Sequence, residues 1–443
     1  MWHFRLHAAA SLFAAAVCQT AVGADTDSTF VKKGFSFGAL PAVSYDSDLG
    51  FQYGVLSNLY WYGDGSRYPA YDHSLYLECS RYVAGTMLFR AYYDSPLALR
   101  RLSPTLRFTA DFTLFRDLLM DFYGFNGRKA VYNDRWVDKE DDEYRTTAFY
   151  AQHRRMIRLM AGVRHDIPQT NLFAQLGVTA FNMECGSVRR SELRHDTPDV
   201  PTLYDLYREW GAIRSDEATG GTDVFIRLGI GYDSRDNQAF PTRGIWSEIL
   251  VAAEPSCFTS HSTGFLRLTV NHRQYFALGT PDLVLAYRLT AQNRLAGRVP
   301  YYLLPHITTN TLTSSTSQGL GGSKTLRGVM RNRITADGIA MANIEARWLF
   351  VRFGLLKQQW AVGVNVFTDM GITTQEYDVD TSAVPQDVKD QYFRSGADQL
   401  HTSAGLGLKV HMNANFIVSV DYGKALNTDD GNGGFYVNMN YLF

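Results

Sequence analysis

A period of two held over about ten residues, and repeated along the chain, leaves few folds open. The final segment, "GGFYVNMNYLF", sets Phe435, Val437, Met439, Tyr441 and Phe443 on one face and Asn438 and Asn440 on the other. Upstream, Phe416, Val418, Val420 and Tyr422 alternate with Ile417, Ser419 and Asp421. Ala404, Leu406, Leu408 and Val410 alternate with Ser403, Gly405, Gly407 and Lys409, and Trp360, Val362, Val364 and Val366 with Ala361, Gly363 and Asn365. About ten residues is what a tilted strand needs to cross the apolar band of a membrane, with lipid-facing and lumen-facing side chains taking turns. Aromatic residues make up 14% of the chain while the mean hydropathy is slightly negative, a balance that suits a membrane barrel better than a soluble sheet.

The start of the chain supports that address. "MWHFRLHAAASLFAAAVCQTAVGA" has Arg5, an apolar run from Ala8 to Val17, and small residues up to Ala24, the layout of a secretory signal peptide cleaved before Asp25. A lipoprotein signal at Cys18 fits less well, because Val17 is too large for the position before a lipidated cysteine. Beyond it no apolar run reaches the roughly 18 to 20 residues that a membrane helix requires. A formal net charge of −1 offers no basic surplus for nucleic acid.

The pattern predicts an all-β protein: a transmembrane antiparallel β-barrel of about 16 strands. The strands fall near 35–46, 49–62, 73–84, 86–95, 105–117, 143–166, 171–185, 222–235, 243–254, 262–276, 282–296, 338–353, 358–370, 399–412, 414–424 and 433–443. The span 143–166 is one long strand in this reading, since Ile157, Leu159, Ala161 and Val163 continue the phase of Phe149 and Ala151, and a hairpin there would make the count odd. Long polar connections at 118–142, 186–221, 297–337 and 371–398 share one side of the count, as external loops should. The domains expected are a signal peptide at 1–24, a short periplasmic segment at 25–34 and a barrel at 35–443.

Site chemistry is sparse. Past the signal, Cys79, Cys185 and Cys257 remain in an oxidising compartment, and an odd count leaves at least one unpaired. Cys185 and Cys257 both stand where strands run into external loops, so either they form a disulfide or all three are free thiols. The 11 histidines are scattered without metal-ligand spacing, and no serine stands in a nucleophile elbow, so neither metal, cofactor nor enzymatic activity is expected. Lys324 and Thr325 follow a Gly-rich run, but Ser323 stands where a phosphate-binding loop needs glycine.

Three stretches together resemble the BamA/TamA-like outer-membrane assembly superfamily, also called bacterial surface antigens. They are "GYDSRDNQAFPTRG", "GLGGSKTLRGVMRNR", and the block from "FTDMG" through "AGLGL" and "VSVDYGKAL" to Phe443; "FYGFNG" is a weaker fourth. The resemblance implies that the sixth external loop folds into the lumen and docks its Arg-Gly tip, Arg327 and Gly328, on Glu345 and Asp369 of the barrel wall. Parity agrees: if Ala342, Ile344, Ala346 and Trp348 face lipid, Glu345 faces inward. A bidentate arginine–carboxylate bond is strong and directional, and lysine would not replace it. In "YDSRDNQAFPTRG", Asp233, Arg235, Asp236, Pro241 and Gly244 are the types that build a rigid periplasmic turn; the acid spacing does not fit a calcium loop. The terminal block, Phe435 to Phe443, reads as an assembly signal for the barrel-assembly machinery.

Gly38 and Pro41 in the first strand, and Gly433 and Gly434 at the start of the last, are tolerated best at edges. Where these strands meet, the seam should be poor in hydrogen bonds, as lateral opening toward a client strand requires. Family members usually carry periplasmic POTRA domains, for which Asp25 to Gly34 leaves no room, so the expectation is a POTRA-less relative acting alone, as a homodimer or as a complex subunit. It would assist assembly or export of polypeptides (or lipids) at the outer membrane of a Gram-negative bacterium, in contact with lipid and lipopolysaccharide. The rival reading is a plugged passive pore or binding platform whose loops 186–221 and 371–398 hold a ligand or partner.

Overall fold

In the computed structural model, residues 31–443 are described apart from 69, 194–197, 262, 311–313, 317–318, 357 and 414–415; the signal-peptide stretch lies outside the described residues. Sixteen antiparallel strands close into one barrel. They are β1 (Phe35–Asp46), β2 (Gly50–Trp61), β3 (His73–Tyr82), β4 (Met87–Ser95), β5 (Leu106–Asp121), β6 (Ala151–Asp166), β7 (Leu172–Gly186) and β8 (Gly220–Asp233). The second half comprises β9 (Gly244–Glu254), β10 (Phe265–Leu278), β11 (Thr280–Gly297), β12 (Gly338–Leu355), β13 (Gln358–Gln375), β14 (His401–Met412), β15 (Phe416–Ala425) and β16 (Gly434–Met439). Each strand pairs with its sequence neighbours, the simplest solution for a sheet that must leave no edge in lipid.

The alternation inverts the usual rule of burial. Leu176, Val178, Ile249, Val366, Leu406, Leu408 and Tyr422 point outward and are exposed, whereas Gln175, Thr179, Glu248, Asn365, Lys409 and Asp421 on the same strands are buried in the lumen. No helix among the described residues is long and apolar enough to cross a membrane; strands do the crossing.

One expectation about the last strand is corrected. Phe435 and Met439 face outward, but β16 ends at Met439, and Asn440 takes a left-handed conformation at φ 66°. That residue turns the chain inward, so Tyr441 and Phe443 are buried inside the barrel instead of continuing the lipid face. Tyr441 packs against His411 and Phe240, and Phe443 lies beside Tyr275, Val284 and Ala286. The polar lumen offers their rings Arg347, whose Nη2 donates to the Phe443 main-chain oxygen at 3.0 Å and whose guanidinium lies 4.3 Å from the Tyr441 ring centre.

Long connections gather at one end of the barrel. Residues 122–150, 187–219, 298–337 and 376–400 bring Phe122, Phe125, Phe149, Tyr207, Tyr301 and Tyr377 into one buried aromatic cluster that roofs the lumen. Here the strand expected from 143 begins only at Ala151, because Phe149 and Tyr150 leave the sheet to join this roof. Within 187–219, helix α1 (Leu203–Glu209) starts at Thr202, which forms a capping box with Asp205 and so fixes where Tyr204 and Tyr207 enter the cluster. The disulfide considered between Cys185 and Cys257 is absent; both are free thiols. Cys185 faces inward into the aromatic cluster, while Cys257 sits exposed in the turn after β9, so their side chains never meet.

The closure between β1 and β16 is thin. Its register holds Tyr45 opposite Val437 and Asp46 opposite Tyr436, whereas β1 and β2 run in register from Phe35–Trp61 to Asp46–Gly50 without a break. Gly38 and Pro41 lie within that regular β1–β2 ladder, opposite Asn58 and Val55. Gly433 precedes β16 at φ 110°, and a Cβ on Gly434 would fall on the Tyr436 hydroxyl. The shortness of β16 therefore limits the pairing; Gly434 makes room for Tyr436, and Gly433 supplies the left-handed backbone that packs on Gly423 of β15.

Candidate functional site: the loop across the lumen

The connection 298–337 leaves β11, joins the aromatic roof, forms a short hairpin (Ile307–Asn310 with Ser314–Thr316), and then crosses the lumen. Its small residues permit tight turns: Thr325 Oγ1 accepts from Gly321 N at 2.8 Å and donates back to a glycine carbonyl. Leu320, Leu326, Val329 and Ile334 are wholly buried with Ile339 and Met341 of β12, so an apolar spine seats the loop before any charge is considered.

Arg327 stands at the tip, fully buried. Its Nε and Nη2 donate to the two oxygens of Asp369 at 2.9 and 3.0 Å, and its backbone N–H donates to Asp369 Oδ2 at 3.0 Å. Its Nη1 lies 2.7 Å from Glu345 Oε1 and 3.8 Å from Asp421 Oδ2, and the guanidinium stacks 3.4 Å from the centre of the Phe367 ring. Glu345 also takes Arg347 Nε at 2.7 Å, and Asp421 takes Lys409 Nζ at 2.7 Å. Three cations and three carboxylates thus cancel in formal charge within one buried network, the condition under which burying ions is tolerable. Burial alone would lower the Arg327 pKa, but Asp369 and Glu345 outweigh it and hold the guanidinium charged.

Gly328 allows the close approach. At φ 93° its N–H donates to the Tyr436 hydroxyl at 3.0 Å, and a Cβ there would come within 2.4 Å of the Gly423 carbonyl carbon. The tip is thereby pressed onto β15 and β16, beside the thin seam. Further along, Arg331 Nε donates to Asp121 Oδ2 of β5 at 2.5 Å, and Arg333 donates to the carbonyls of Gly127 and Ala130 at 3.0 and 3.1 Å. One loop therefore ties β12, β13, β15 and β16 to β5 across the lumen.

Sequence reasoning named Arg327, Gly328, Glu345 and Asp369, and these four lie together. It missed Asp421, Phe367, Tyr436 and Arg331 with Asp121. Parity could have found three of them: Phe367 shares the face of Asp369, Asp421 alternates with Val420 and Tyr422, and Tyr436 lies between outward Phe435 and Val437. Nothing in the sequence shows that Arg331 reaches β5, since that contact spans 210 positions.

The other motif lies elsewhere. Arg235 Nε and Nη2 donate to Asp233 at 2.9 and 2.8 Å, and Asp236 Oδ1 accepts from Thr242 N at 2.9 Å. Gly244, at φ 104°, has Ser234 O where a Cβ would be, while Pro241 is buried. This turn at the short-turn end holds Phe240 against Tyr441, their rings 5.3 Å apart.

A family model described as the Omp85 superfamily domain matches residues 91–443. The chain belongs to the Omp85 superfamily. Among solved structures, this Omp85 barrel is similar to BamA from Haemophilus ducreyi lacking POTRA domains 1–3, with a TM-score of 0.57 at 14% identity over 92% of this chain and 70% of that one. It is similar also to CdiB from Escherichia coli, with a TM-score of 0.56 at 11% identity over 94% of this chain and 64% of that one. At such identities the likeness is one of fold. No curated protein sequence matches. An Omp85 barrel of sixteen strands places the protein in the outer membrane of a Gram-negative bacterium.

Proposed function

We propose that this Omp85 barrel helps polypeptides (or lipids) enter or cross the outer membrane through the β1–β16 seam, with the Arg327-anchored loop bracing the wall beside it. The observation that carries this reading is the thinness of that seam, two residue pairs against six between β15 and β16. Most of β1 from Phe35 to Ser44 consequently offers main-chain groups on one side, the requirement for a client strand to add by β-augmentation. The loop spans from the β16 side of the seam to β5, so its release would loosen the wall on which the seam closes.

The aromatic roof and the occupied lumen favour a second reading, a plugged pore or platform for partners. Client insertion in proteoliposomes separates the two. Wild type and Arg327→Ala are given an unfolded small outer-membrane barrel, and protease protection is followed over time. Faster insertion with wild type than with empty liposomes or the variant is expected. No acceleration by either, with larger ion currents through the variant, would establish the plugged pore instead.

A further inference from the structure

We propose that the lumen wall formed by β6 to β11 carries an oxyanion-binding site, centred on Arg267 and His306, that takes a phosphoryl group. Arg267 on β10 is buried, yet among the described residues its close contacts are a 3.5 Å hydrogen bond from Nη1 to the His306 carbonyl and a ring face, Phe265, at 5.8 Å; its Nε has no hydrogen-bond partner there, and the one carboxylate whose charge reaches it, Asp337, forms no ion pair with it. A buried guanidinium without a direct ion pair is costly, and an anion from outside the chain is the simplest remedy.

His306 supplies the second half. It belongs to the lumen loop, where Gln292 Nε2 holds its carbonyl at 3.0 Å and its ring packs 4.7 Å from that of Phe181. The imidazole is buried, and neither ring nitrogen has a hydrogen-bond partner among the described residues. Burial, then the charges of Arg154, Arg158 and Arg267, push its pKa well below the ordinary value, which keeps the imidazole neutral among guanidiniums. Three carboxylates near these cations are engaged, Asp117 by Arg154 at 2.6 Å, Asp111 by Arg158 at 3.1 Å and Asp337 by Arg294 at 2.8 Å, while Glu254 on β9 of the same wall is buried beside Asp223 without a cation among the described residues.

The wall below continues the pattern. Arg273 and Arg288 stand directly opposite each other on β10 and β11, an arrangement in which like charges repel. Arg288 is buried and bonded to neutral oxygens, Asn343 Oδ1 at 2.9 Å and the Lys324 carbonyl at 3.2 Å. Both stand nearer the short-turn end of the wall than Arg267 does. Several acceptor oxygens around one centre match a guanidinium fork plus an imidazole N–H, which selects a phosphoryl group over a carboxylate.

The test uses the full chain in detergent micelles with ring-15N histidine, the His306 signal being assigned from its loss in His306→Gln. Inorganic phosphate is titrated at constant ionic strength, with acetate as the control anion. A saturable shift of the His306 resonance is expected with phosphate and not with acetate, with affinity at least tenfold weaker in Arg267→Gln. No His306 response to phosphate in wild type, or one left unchanged by Arg267→Gln, would overturn the proposal; the wild-type titration decides even if that variant fails to fold. Dihexanoylphosphatidic acid then distinguishes the sources. Binding tenfold tighter than phosphate identifies a lipid headgroup, and binding no tighter identifies a free or sugar-borne phosphate. Binding is measured without any client, so failure here leaves the insertion reading standing, and the reverse also holds.

Discussion

Replacing Arg327 by alanine should free the loop from the wall. The change removes three side-chain contacts to Asp369 and Glu345 and leaves two fully buried carboxylates short of a cation. Breaking a buried pair by deleting one partner costs about 3–5 kcal/mol. At 1.4 kcal/mol per factor of ten, the equilibrium for lifting the tip rises by roughly 100-fold to several thousand-fold. A reporter is at hand in Ser323, buried four residues before the tip. With Cys79 and Cys257 replaced by alanine and Ser323→Cys introduced, maleimide labelling of the folded protein reads the open population. Labelling should accelerate by that factor in Arg327→Ala, and by a smaller one in Arg327→Lys, which keeps a charge but loses the fork. Asp369→Asn should add little in the Arg327→Ala background if the two act as a pair. Labelling within about threefold of wild type for Arg327→Ala would refute the reasoning, because the apolar spine alone would then suffice to hold the loop.

Three further outcomes are expected. Gly328→Ala forces a left-handed alanine against the Gly423 backbone and should destabilise the tip by about 1–3 kcal/mol, read as faster Ser323→Cys labelling without loss of the barrel. A cysteine pair at Val43 and Met439, just beyond the paired part of the seam, should crosslink less fully than a lipid-facing pair at Leu408 and Val420; equal and complete crosslinking would mean a closed seam. Asp398 ties the loops near His401: burial would raise its carboxyl, but the His401 contact at 3.1 Å and the Arg128 N–H at 2.9 Å hold it down at about 2. A depressed carboxylate stabilises above its unfolded value and loses that stability as pH falls through its folded value, so roughly 2 kcal/mol should vanish between about pH 4 and 2. Asp398→Asn should abolish this acid dependence, measured by unfolding midpoints across that range.

The sequence by itself determined the strands. Alternation fixes which side chains face lipid, and because a slip of one residue would expose Lys409, Glu345 or Asp421 to hydrocarbon, register follows from parity. The same parity pointed Glu345 inward. Tertiary structure decided what parity cannot express. Asn440 turns the last residues inward because Arg347, His411 and Phe240 wait there, and none of these is near in sequence. Cys185 stays a thiol because the aromatic roof built from four distant connections encloses it. Arg331 meets Asp121, and Arg267 is left without an ion pair among the described residues, only once the loop has crossed the lumen. Periodicity is a local property of a strand, whereas the pairing of buried charges depends on which strands the closed barrel sets face to face.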